Sequence, residues 1–332
     1  MHAFTNVNKR ILTTLILILP SLISGCAINM KVPIKDPSTS TISHQVDAKS
    51  PVTLFFKDEQ SSSDKAKLLG GTIPMQMVYD NKPFDAIPWI AQHTIKEMVA
   101  RNLPVSLSGE PREGTGVLIK RLHIENHRTN GFSPFVTFTS LHAEVETPEG
   151  HRRITAYIKR GKVPVWSFNE VIDPTYNTPL ALLTKELAAK LNQQLFNSTI
   201  SDDQVRQLIQ RVNQIGSAGE GDAYLDVYQL GFGNNALAIP DLVKYCSHSN
   251  EYVRLAAISS LGILRAADQI DLLKKLHASK SGLWQDRAMA LKALGDINTQ
   301  ETRAYLQEQW TILQNRTDKE ANWTKEILAL YL

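Results

Sequence analysis

Histidine and glutamate alternate in the stretch HIENH, which starts at His123, and this pattern suggests chemistry more directly than others in the chain. Imidazole nitrogens and carboxylate oxygens are suitable ligands for zinc. Alternate side chains of a β-strand share one face, so His123, Glu125 and His127 would point the same way. His142 and Glu144, on the following predicted strand, would lie opposite them.

A solvated polar face of a sheet explains the same pattern without a metal. Alternate residues of a strand are about 7 Å apart at their Cα atoms, which is an awkward spacing for three ligands of one ion. Leu122 and Ile124 would then form the opposite, apolar face and pack on helices. We favour this interpretation and predict neither a metal nor a cofactor.

The sequence lacks the motifs HExxH, GxSxG, GxxxxGK[ST] and CxxC, which carry metal, nucleophile, phosphate or redox chemistry in many enzymes. The glycine-rich run Ser108–Gly116 leads into a strand and not into a helix whose N-terminus could hold a phosphate. We therefore predict that the protein is not an enzyme. An enzyme whose site is assembled from scattered residues stays as an alternative.

The thiol of Cys26 follows a leader with the features of a secretory signal peptide. Lys9 and Arg10 precede the apolar run Ile11–Leu19, and small residues come just before the cysteine. A nine-residue helical run covers about 14 Å, well short of the roughly 30 Å of a bilayer core. Since the uncharged stretch continues to Ile28, an uncleaved membrane anchor is the alternative.

The order Leu22-Ile23-Ser24-Gly25-Cys26 resembles a bacterial lipobox. The resemblance implies that residues 1–25 are removed and that Cys26 carries diacylglycerol and an acylated amino terminus. The next residue is Ala27 and not aspartate, which in the enterobacterial sorting pattern resembles an outer-membrane address. We thus expect a lipid-anchored protein at the outer membrane, on its periplasmic side. An incidental cysteine in a hydrophobic leader is the alternative.

Charge and cysteine content limit the class of protein further. Removing residues 1–25 takes away two basic residues and no acidic one, so the net charge falls from +3 to +1. A near-neutral chain lacks the electrostatic footprint of a nucleic-acid binder. With Cys26 lipidated, Cys246 has no intramolecular partner, and its apolar surroundings predict a small buried hydrophobic residue.

The elements that would position these residues fall into two blocks behind a leader. Residues 26–50 are rich in proline, serine and threonine and predict a flexible tether. Residues 51–198 alternate strand and helix patterns, with helices starting at Asp85 and Thr178 and a tight turn at Thr147–Gly150. These patterns predict an α+β domain, an antiparallel sheet with helices on one face.

This segment resembles the YajG-type bacterial lipoproteins. The resemblance rests on the lipobox, the helix IPWIAQHTIKEMVARNLPV, the strand GTGVLIKRLHIEN, the PEG hairpin and the helix Leu180–Leu195. It covers nearly half of the chain and implies no catalytic residues.

Residues 199–221 predict a connecting helix and a hinge, and residues 222–332 contain a repeat. VRLAAISSLGIL from Val253 matches DRAMALKALGDI from Asp286 at a spacing of 33 residues. This repeat resembles short HEAT-like repeats, which implies an all-α HEAT-like solenoid. An ordinary helical bundle is the alternative.

Arg254 and Arg287 occupy equivalent positions in the repeat. They would either bind acidic groups of a partner or bridge neighbouring repeats. Trp284, Trp310 and Trp323 would be either core residues or anchors of an interface.

The combined hypothesis is a non-catalytic envelope lipoprotein. It would be held in the membrane through Cys26 and would bind an envelope protein through its HEAT-like repeats as a scaffold. An auxiliary subunit of a lipid or polysaccharide transport machine is the first alternative, because a helix-on-sheet domain could cradle an acyl chain. An envelope enzyme is the second alternative.

Overall fold

The computed structural model describes residues 30–46, 50–109, 113–164, 166–215 and 222–332. In these ranges a sheet-rich N-terminal part is followed by a helical C-terminal part, which confirms the coarse division predicted from the sequence. Within the same ranges, no helix combines the length and the hydropathy that crossing a bilayer requires.

The N-terminal part contains a main sheet and a small sheet. In the main sheet the strand order is β6-β2-β7-β8-β9, and β3 pairs with β7 beside the end of β2. The small sheet has the order β1-β4-β5. The strands are β1 (Met30–Pro33), β2 (Val52–Asp58), β3 (Leu69–Gly71), β4 (Met75–Tyr79), β5 (Lys82–Pro83), β6 (Val105–Leu107), β7 (Thr115–His127), β8 (Phe135–Thr147) and β9 (Gly150–Lys162).

The main sheet is mixed, so the predicted antiparallel sheet is wrong for its first strands. Strand β2 runs parallel to both β6 and β7, and β3 also runs parallel to β7. Within this sheet, β7, β8 and β9 form an antiparallel meander. A tight turn such as Thr147–Gly150 indicates an antiparallel hairpin in the sequence. Parallel strands are joined by long connections, so no local pattern indicates that they pair.

Residues 30–46 form a segment that packs across the N-terminal part, and we call it the strap. Val32 and Ile34 are buried, and the amide of Ser40 donates to Glu97 Oε2 at 2.9 Å. The amide of Gln45 donates to the carbonyl of Thr199 at 2.7 Å. Residues 30–46 are therefore packed and hydrogen-bonded and differ from the flexible tether expected for residues 26–50. Strand pairing with β4 and two buried apolar side chains hold them, and their polar composition hides this in the sequence.

Two long helices cover one face of the main sheet. Helix α1 (Ser62–Ala66) is short, and α2 (Ala86–Ala100) begins after Asp85 and ends near Asn102, whose φ is 64°. Helix α3 (Asn169–Ile172) continues through a π-helical turn (Asp173–Asn177) into α4 (Thr178–Leu195), so Thr178 lies inside a longer helical run than its sequence predicted. The core between α2, α4 and the sheet is apolar, with Met98, Leu122, Leu141, Leu183 and Leu187 all fully buried.

The helical part consists of two rows. The inner row packs side by side and contacts α4 and β9, while each outer helix packs on the inner row. The inner helices are α6 (Ala223–Phe232), α8 (Glu251–Ile263) and α10 (Trp284–Ile297), and the outer helices are α5 (Asp202–Ile215), α7 (Ile239–Tyr245), α9 (Ile270–Ala278) and α11 (Gln300–Leu313). Helix α12 (Lys319–Leu328) closes the row against α10 and α11.

The sequence suggested helices on one face of the main sheet, but helices cover both of its faces. On the face opposite α2 and α4, the ring of Phe138 lies 4.9 Å from that of Trp323 and 5.6 Å from that of Trp284, centroid to centroid. Lys159 Nζ contacts Glu251 Oε1 on α8 at 2.5 Å. The two parts of the chain therefore share one interface along this face.

Candidate functional site

Cys26 lies outside the described residues, so its lipidation stays a prediction. Cys246 is buried in the helical part, as expected for a small hydrophobic residue, and burial raises the pKa of its thiol to about 12. It has no disulfide partner among the described residues.

The structure places His123, Glu125 and His127 on one face of β7, as the alternation predicts. Glu125 lies between the two imidazoles, with Oε1 4.0 Å from His123 Nδ1 and Oε2 3.5 Å from His127 Nε2. His123 Nε2 lies 3.0 Å from Asp64 Oδ1. No group of three histidine, cysteine or acidic residues in the described ranges has the arrangement of a metal centre.

His142 and Glu144 do not complete this cluster. The register of β7 and β8 sets His142 opposite Arg121. Glu144 lies 3.3 Å from Lys120 Nζ and 3.4 Å from His151 Nδ1. Lys120 and His151 therefore balance the carboxylate of Glu144 locally, whereas the charges of Arg153 and Arg121 disfavour the protonated form of His142.

The polar face of β7 is covered by α12 and is not the solvated face that the sequence suggested. The His127 ring lies 5.1 Å from the rings of both Phe138 and Trp323. Burial lowers the pKa of His123, and the neighbouring His127 lowers the pKa of Glu125. The two shifts favour a neutral His123 and a charged Glu125. A single charge beside a neutral ring costs less to cover with a helix than two charges would.

Arg254 and Arg287 make equivalent contacts in successive units of the helical part. Arg254 Nε lies 3.2 Å from Asp286 Oδ2 at the start of α10, and its Nη1 donates to the carbonyl of His248 at 2.8 Å. Arg287 Nη2 lies 3.0 Å from Glu320 Oε2 on α12, and its Nη1 donates to the carbonyl of Gly282. Each arginine thus binds the loop before its own helix and an acidic residue of the next helix. For Arg254 this next helix is α10, and for Arg287 it is α12.

Beside Arg287, a groove opens between α9, α10, α11 and α12, and we call it the C-terminal groove. Its volume is about 200 Å³. Leu291 and Leu313 lie along it, and Ile312 is 56% exposed at its edge. Arg287 and Arg316 border the same groove. The groove combines the exposed Ile312 with two guanidinium groups, which pair with Glu320 and Asp318. It is a suitable surface for an apolar segment that carries carboxylates.

Trp284 lines the floor of this groove and is buried, and its Nε1 donates to Thr324 Oγ1 at 3.1 Å. Its other side packs against Trp323 at 5.0 Å between centroids. Trp310 is half-buried against the same core. These three tryptophans are core residues of the helical part and of its contact with the sheet.

A buried cluster of four charges, which we did not predict from the sequence, joins α4 to α10. Glu186 and Lys190 lie on α4, and Lys292 and Asp296 lie on α10. Lys292 Nζ lies 2.6 Å from Glu186 Oε1 and 2.7 Å from Asp296 Oδ2, while Lys190 Nζ lies 2.8 Å from Glu186 Oε1 and 2.7 Å from Asp296 Oδ1. We call this set the charge quartet.

Electrostatics inside the quartet is balanced. Burial alone would lower the pKa of Lys292, but the carboxylates of Asp296 and Glu186 raise it. Burial likewise works against ionisation of Asp296, and the ammonium groups of Lys190 and Lys292 lower its pKa. The opposite charges therefore counteract the cost of burying Lys292 and Asp296. Pairs of opposite charge four residues apart, on otherwise apolar helices, are the sequence signal that could have revealed it.

Next to the quartet, a polar cleft of about 210 Å³ lies between β9, α4 and the C-terminal ends of α8 and α10. Arg152, Arg153 and Arg265 line it. Arg153 Nη1 donates to the carbonyl of Tyr331, and burial lowers the pKa of Arg265. Positive side chains at the C-terminal ends of helices offset the negative ends of the helix dipoles, so the cleft has a structural explanation.

Comparison with known proteins gives no family. No protein-family model and no curated protein matches the chain. A solved structure described as the crystal structure of an uncharacterized protein is similar to 50% of this chain and 99% of its own, with 7% sequence identity and a TM-score of 0.31. At that TM-score the likeness carries no argument about fold or function.

Proposed function

We propose that the protein is a non-catalytic, lipid-anchored envelope lipoprotein that binds a protein partner through its C-terminal helices. The observation that carries this proposal is the C-terminal groove, where apolar side chains and two arginines lie together on the outer side of the helical part. Its anchor would be Cys26, at the outer membrane. The repeated arginine contacts support a HEAT-like arrangement of the helices.

The inner row of the helical part is already occupied within the chain. Helices α6 and α8 contact α4, and α10 contacts β9. The charge quartet fixes this contact with buried ion pairs. A partner would therefore reach the outer helices and the C-terminal groove rather than the inner row.

The groove favours one class of partner. Ile312 is largely exposed and would gain by being covered, and Arg287 and Arg316 would pair with carboxylates at the border of the contact. Because Arg287 already contacts Glu320, whose side chain is 55% exposed, an incoming carboxylate would share that guanidinium. We therefore expect a helical or extended protein segment with apolar residues and acidic neighbours.

Crosslinking in living cells tests this proposal. A photoreactive residue in place of Ile312 should capture a specific envelope protein, and Ile312→Glu should abolish capture from a second groove position, Gln309. The matched control is Leu237→Glu, which alters a 40% exposed leucine at another place in the helical part. If Ile312→Glu and Leu237→Glu retain the same partner equally, the groove is not the binding surface.

The anchor has its own test. Labelled palmitate should be incorporated by the wild type and not by Cys26→Ala. Incorporation that persists in Cys26→Ala would remove Cys26 from the proposal while leaving the groove in place.

The transport alternative is less well supported. An acyl chain between the sheet and helices α2 and α4 would have to displace fully buried side chains such as Met98, Leu141 and Leu183. Native mass spectrometry that finds a copurified lipid would favour this alternative over a protein partner.

A further inference from the structure

Two aromatic side chains are almost completely exposed at one end of the main sheet. Phe132 is 96% exposed in the loop between β7 and β8, and Trp166 is 91% exposed after β9. Val163, 47% exposed, lies just before Trp166 in the sequence. We call these three residues the aromatic end. Single exposed apolar residues are common, but two fully exposed large rings on adjacent loops mark an interaction surface.

The two loops leave the sheet side by side. The first residue of β8, Phe135, is paired with the last residue of β9, Lys162. The ring of Phe135 also packs against that of Phe168, at 5.3 Å between centroids. The loop that carries Phe132 and the segment that carries Trp166 therefore project from the same end of the sheet.

Hydrogen bonds hold the first loop in place. The side-chain oxygen of Asn130 accepts from the amides of Phe132 and Ser133, both at 2.9 Å. The hydroxyl of Ser133 accepts from the amides of Thr129 and Asn130, both at 3.0 Å. This loop keeps Phe132 extended on an ordered backbone, so little conformational entropy is lost when the ring is buried by something else.

The second segment is held in a similar way. Glu170 Oε1 accepts from the amide of Trp166 at 2.8 Å and from that of Ser167 at 3.0 Å. The indole therefore projects from a backbone that is anchored to the start of α3.

The strap begins at the same end of the sheet. Its first residue, Met30, pairs with Met75. Two residues before Met75, the amide of Ile73 donates to Asn126 Oδ1 near the end of β7, at 2.9 Å. The amide of Arg128, which starts the Phe132 loop, donates to Thr72 Oγ1 at 2.9 Å. Met30 therefore lies close to the base of the loop that carries Phe132.

The short segment between Cys26 and Met30 limits how far this end of the sheet can be from a membrane that holds Cys26. Cys26 precedes Met30 by four residues in the sequence, and four fully extended residues reach at most about 14 Å. If Cys26 carries lipid, the bilayer surface lies within that distance of Met30, whichever way the chain turns. The exposed Lys31 lies beside Met30 in the sequence, and Lys162 at the end of β9 is also exposed.

We infer that the aromatic end docks on the bilayer that holds the lipid anchor, with Phe132 and Trp166 inserted at the level of the lipid headgroups. This inference rests on the proposed lipidation of Cys26. Tryptophan and phenylalanine favour that depth because their rings bury apolar surface there, and lysines beside them meet lipid phosphates. The anchor keeps the loops at high local concentration at the membrane, so a weak insertion suffices to orient the body. The C-terminal groove would then have a fixed orientation relative to the membrane.

Quenching by brominated lipids tests the inference on the full lipidated protein. Vesicles of phosphatidylethanolamine and phosphatidylglycerol with bromines near the headgroup should quench tryptophan emission of the wild type. The quenched component should disappear in Trp166→Phe and persist in the control Trp310→Phe. Phe132→Ser should reduce the quenching of Trp166 by about half, since both loops insert together.

The outcomes separate this inference from the proposed function. If palmitate is incorporated and the protein floats with the vesicles but Trp166 is not quenched, the anchor stands and the docking is wrong. A Trp166 position that crosslinks to an envelope protein and escapes quenching would assign the aromatic end to a protein contact instead. If palmitate is not incorporated at Cys26, the anchor is wrong and the docking that rests on it is overturned as well. Quenching that is lost in Trp166→Phe would support docking, and its absence would overturn it.

Discussion

The two faces of the main sheet bury similar elements by different chemistry. The face towards α2 and α4 is lined by apolar side chains such as Ile119, Leu122 and Leu141, all fully buried. The face towards the helical part carries histidine, arginine, lysine and glutamate, and it meets its helices through ion pairs, edge-on ring contacts and cation–π contacts. An apolar face tolerates many packings, whereas buried charges are satisfied in only one arrangement. We infer that the first face stabilises the N-terminal part and that the second face specifies how the helical part docks on it.

Removing one cation of the charge quartet should give the largest effect. Lys292→Met leaves Glu186 and Asp296 with Lys190 as their shared cation, so we expect the free energy of unfolding to fall by about 3–5 kcal/mol. Urea unfolding followed by circular dichroism measures it. The control is Lys274→Met, which removes a surface pair with Glu301 and should cost less than about 1 kcal/mol. Equal losses in the two variants would show that the quartet does not hold the docked arrangement.

A cavity in the apolar face should cost somewhat less and act differently. Leu122→Ala should lower the free energy of unfolding by about 2–5 kcal/mol through lost burial and a residual cavity. Both parts should then unfold together at lower urea, whereas Lys292→Met should separate the helical part first. The control Leu107→Ala alters a 42% exposed leucine and should change little. Coincident transitions in every variant would contradict the division of roles between the faces.

The cation–π contact at the far end of the interface should contribute less. The guanidinium of Arg160 on β9 lies 4.3 Å from the centroid of the Tyr224 ring and 3.8 Å from that of Tyr252. Arg160→Met keeps a long apolar side chain and loses the charge, so we expect a loss of about 1–2 kcal/mol in thermal unfolding experiments. Arg206→Met, at an exposed pair with Asp203, is the matched control and should be nearly neutral.

Acid should weaken the charged face selectively. Burial, followed by the charge of Arg153, lowers the pKa of His142 from 6.5 to about 4. The unfolded chain therefore binds this proton more tightly than the folded chain does, so stability is complete above pH 6.5 and is lost as the pH falls towards 4. His142→Gln should reduce the loss of stability between pH 7 and pH 5.5 by about 1 kcal/mol. The exposed His151 gives the control His151→Gln. An unchanged pH profile in His142→Gln would remove this histidine from the acid response.

His44 and His277 should add to the same response, because burial lowers the pKa of each to about 4. His44 belongs to the strap, and His277 borders the C-terminal groove. Part of the pH dependence of stability that remains in His142→Gln should therefore belong to these two residues, which the triple variant would test.

Local signals in the sequence predicted local structure well. Asp85 and the apolar periodicity after it predicted α2, and the turn at Thr147–Gly150 predicted the hairpin of β8 and β9. The spacing of 33 residues set Arg254 and Arg287 in equivalent positions, although it left open what they bind. Each of these inferences uses residues that lie close together in the chain.

Long-range pairing was beyond those signals. Glu186 and Lys292 are 106 residues apart, so no local sequence pattern indicates that they form an ion pair. Strand β2 pairs with β7 in parallel although two helices and four short strands lie between them in the sequence. The strap buries Val32 and Ile34 inside a polar segment. His123, Glu125 and His127 were correctly set on one face, but only the fold shows that α12 covers them.

The spacing of the inner helices depends on three glycines, each of which leaves room for a neighbouring element. A Cβ atom at Gly231 would meet Ser260 on α8, and one at Gly262 would lie 2.5 Å from the Cα atom of Ala293 on α10. The third, Gly295, leaves room for the ring of Tyr331 instead of a further helix of the row. A duplicated helix pair inserted between α8 and α10 would bring its own glycine and find a complementary neighbour on each side. A further inner helix packed beside α10 would have to displace the ring of Tyr331 from Gly295, so this ring closes the row where Gly231 and Gly262 keep it open.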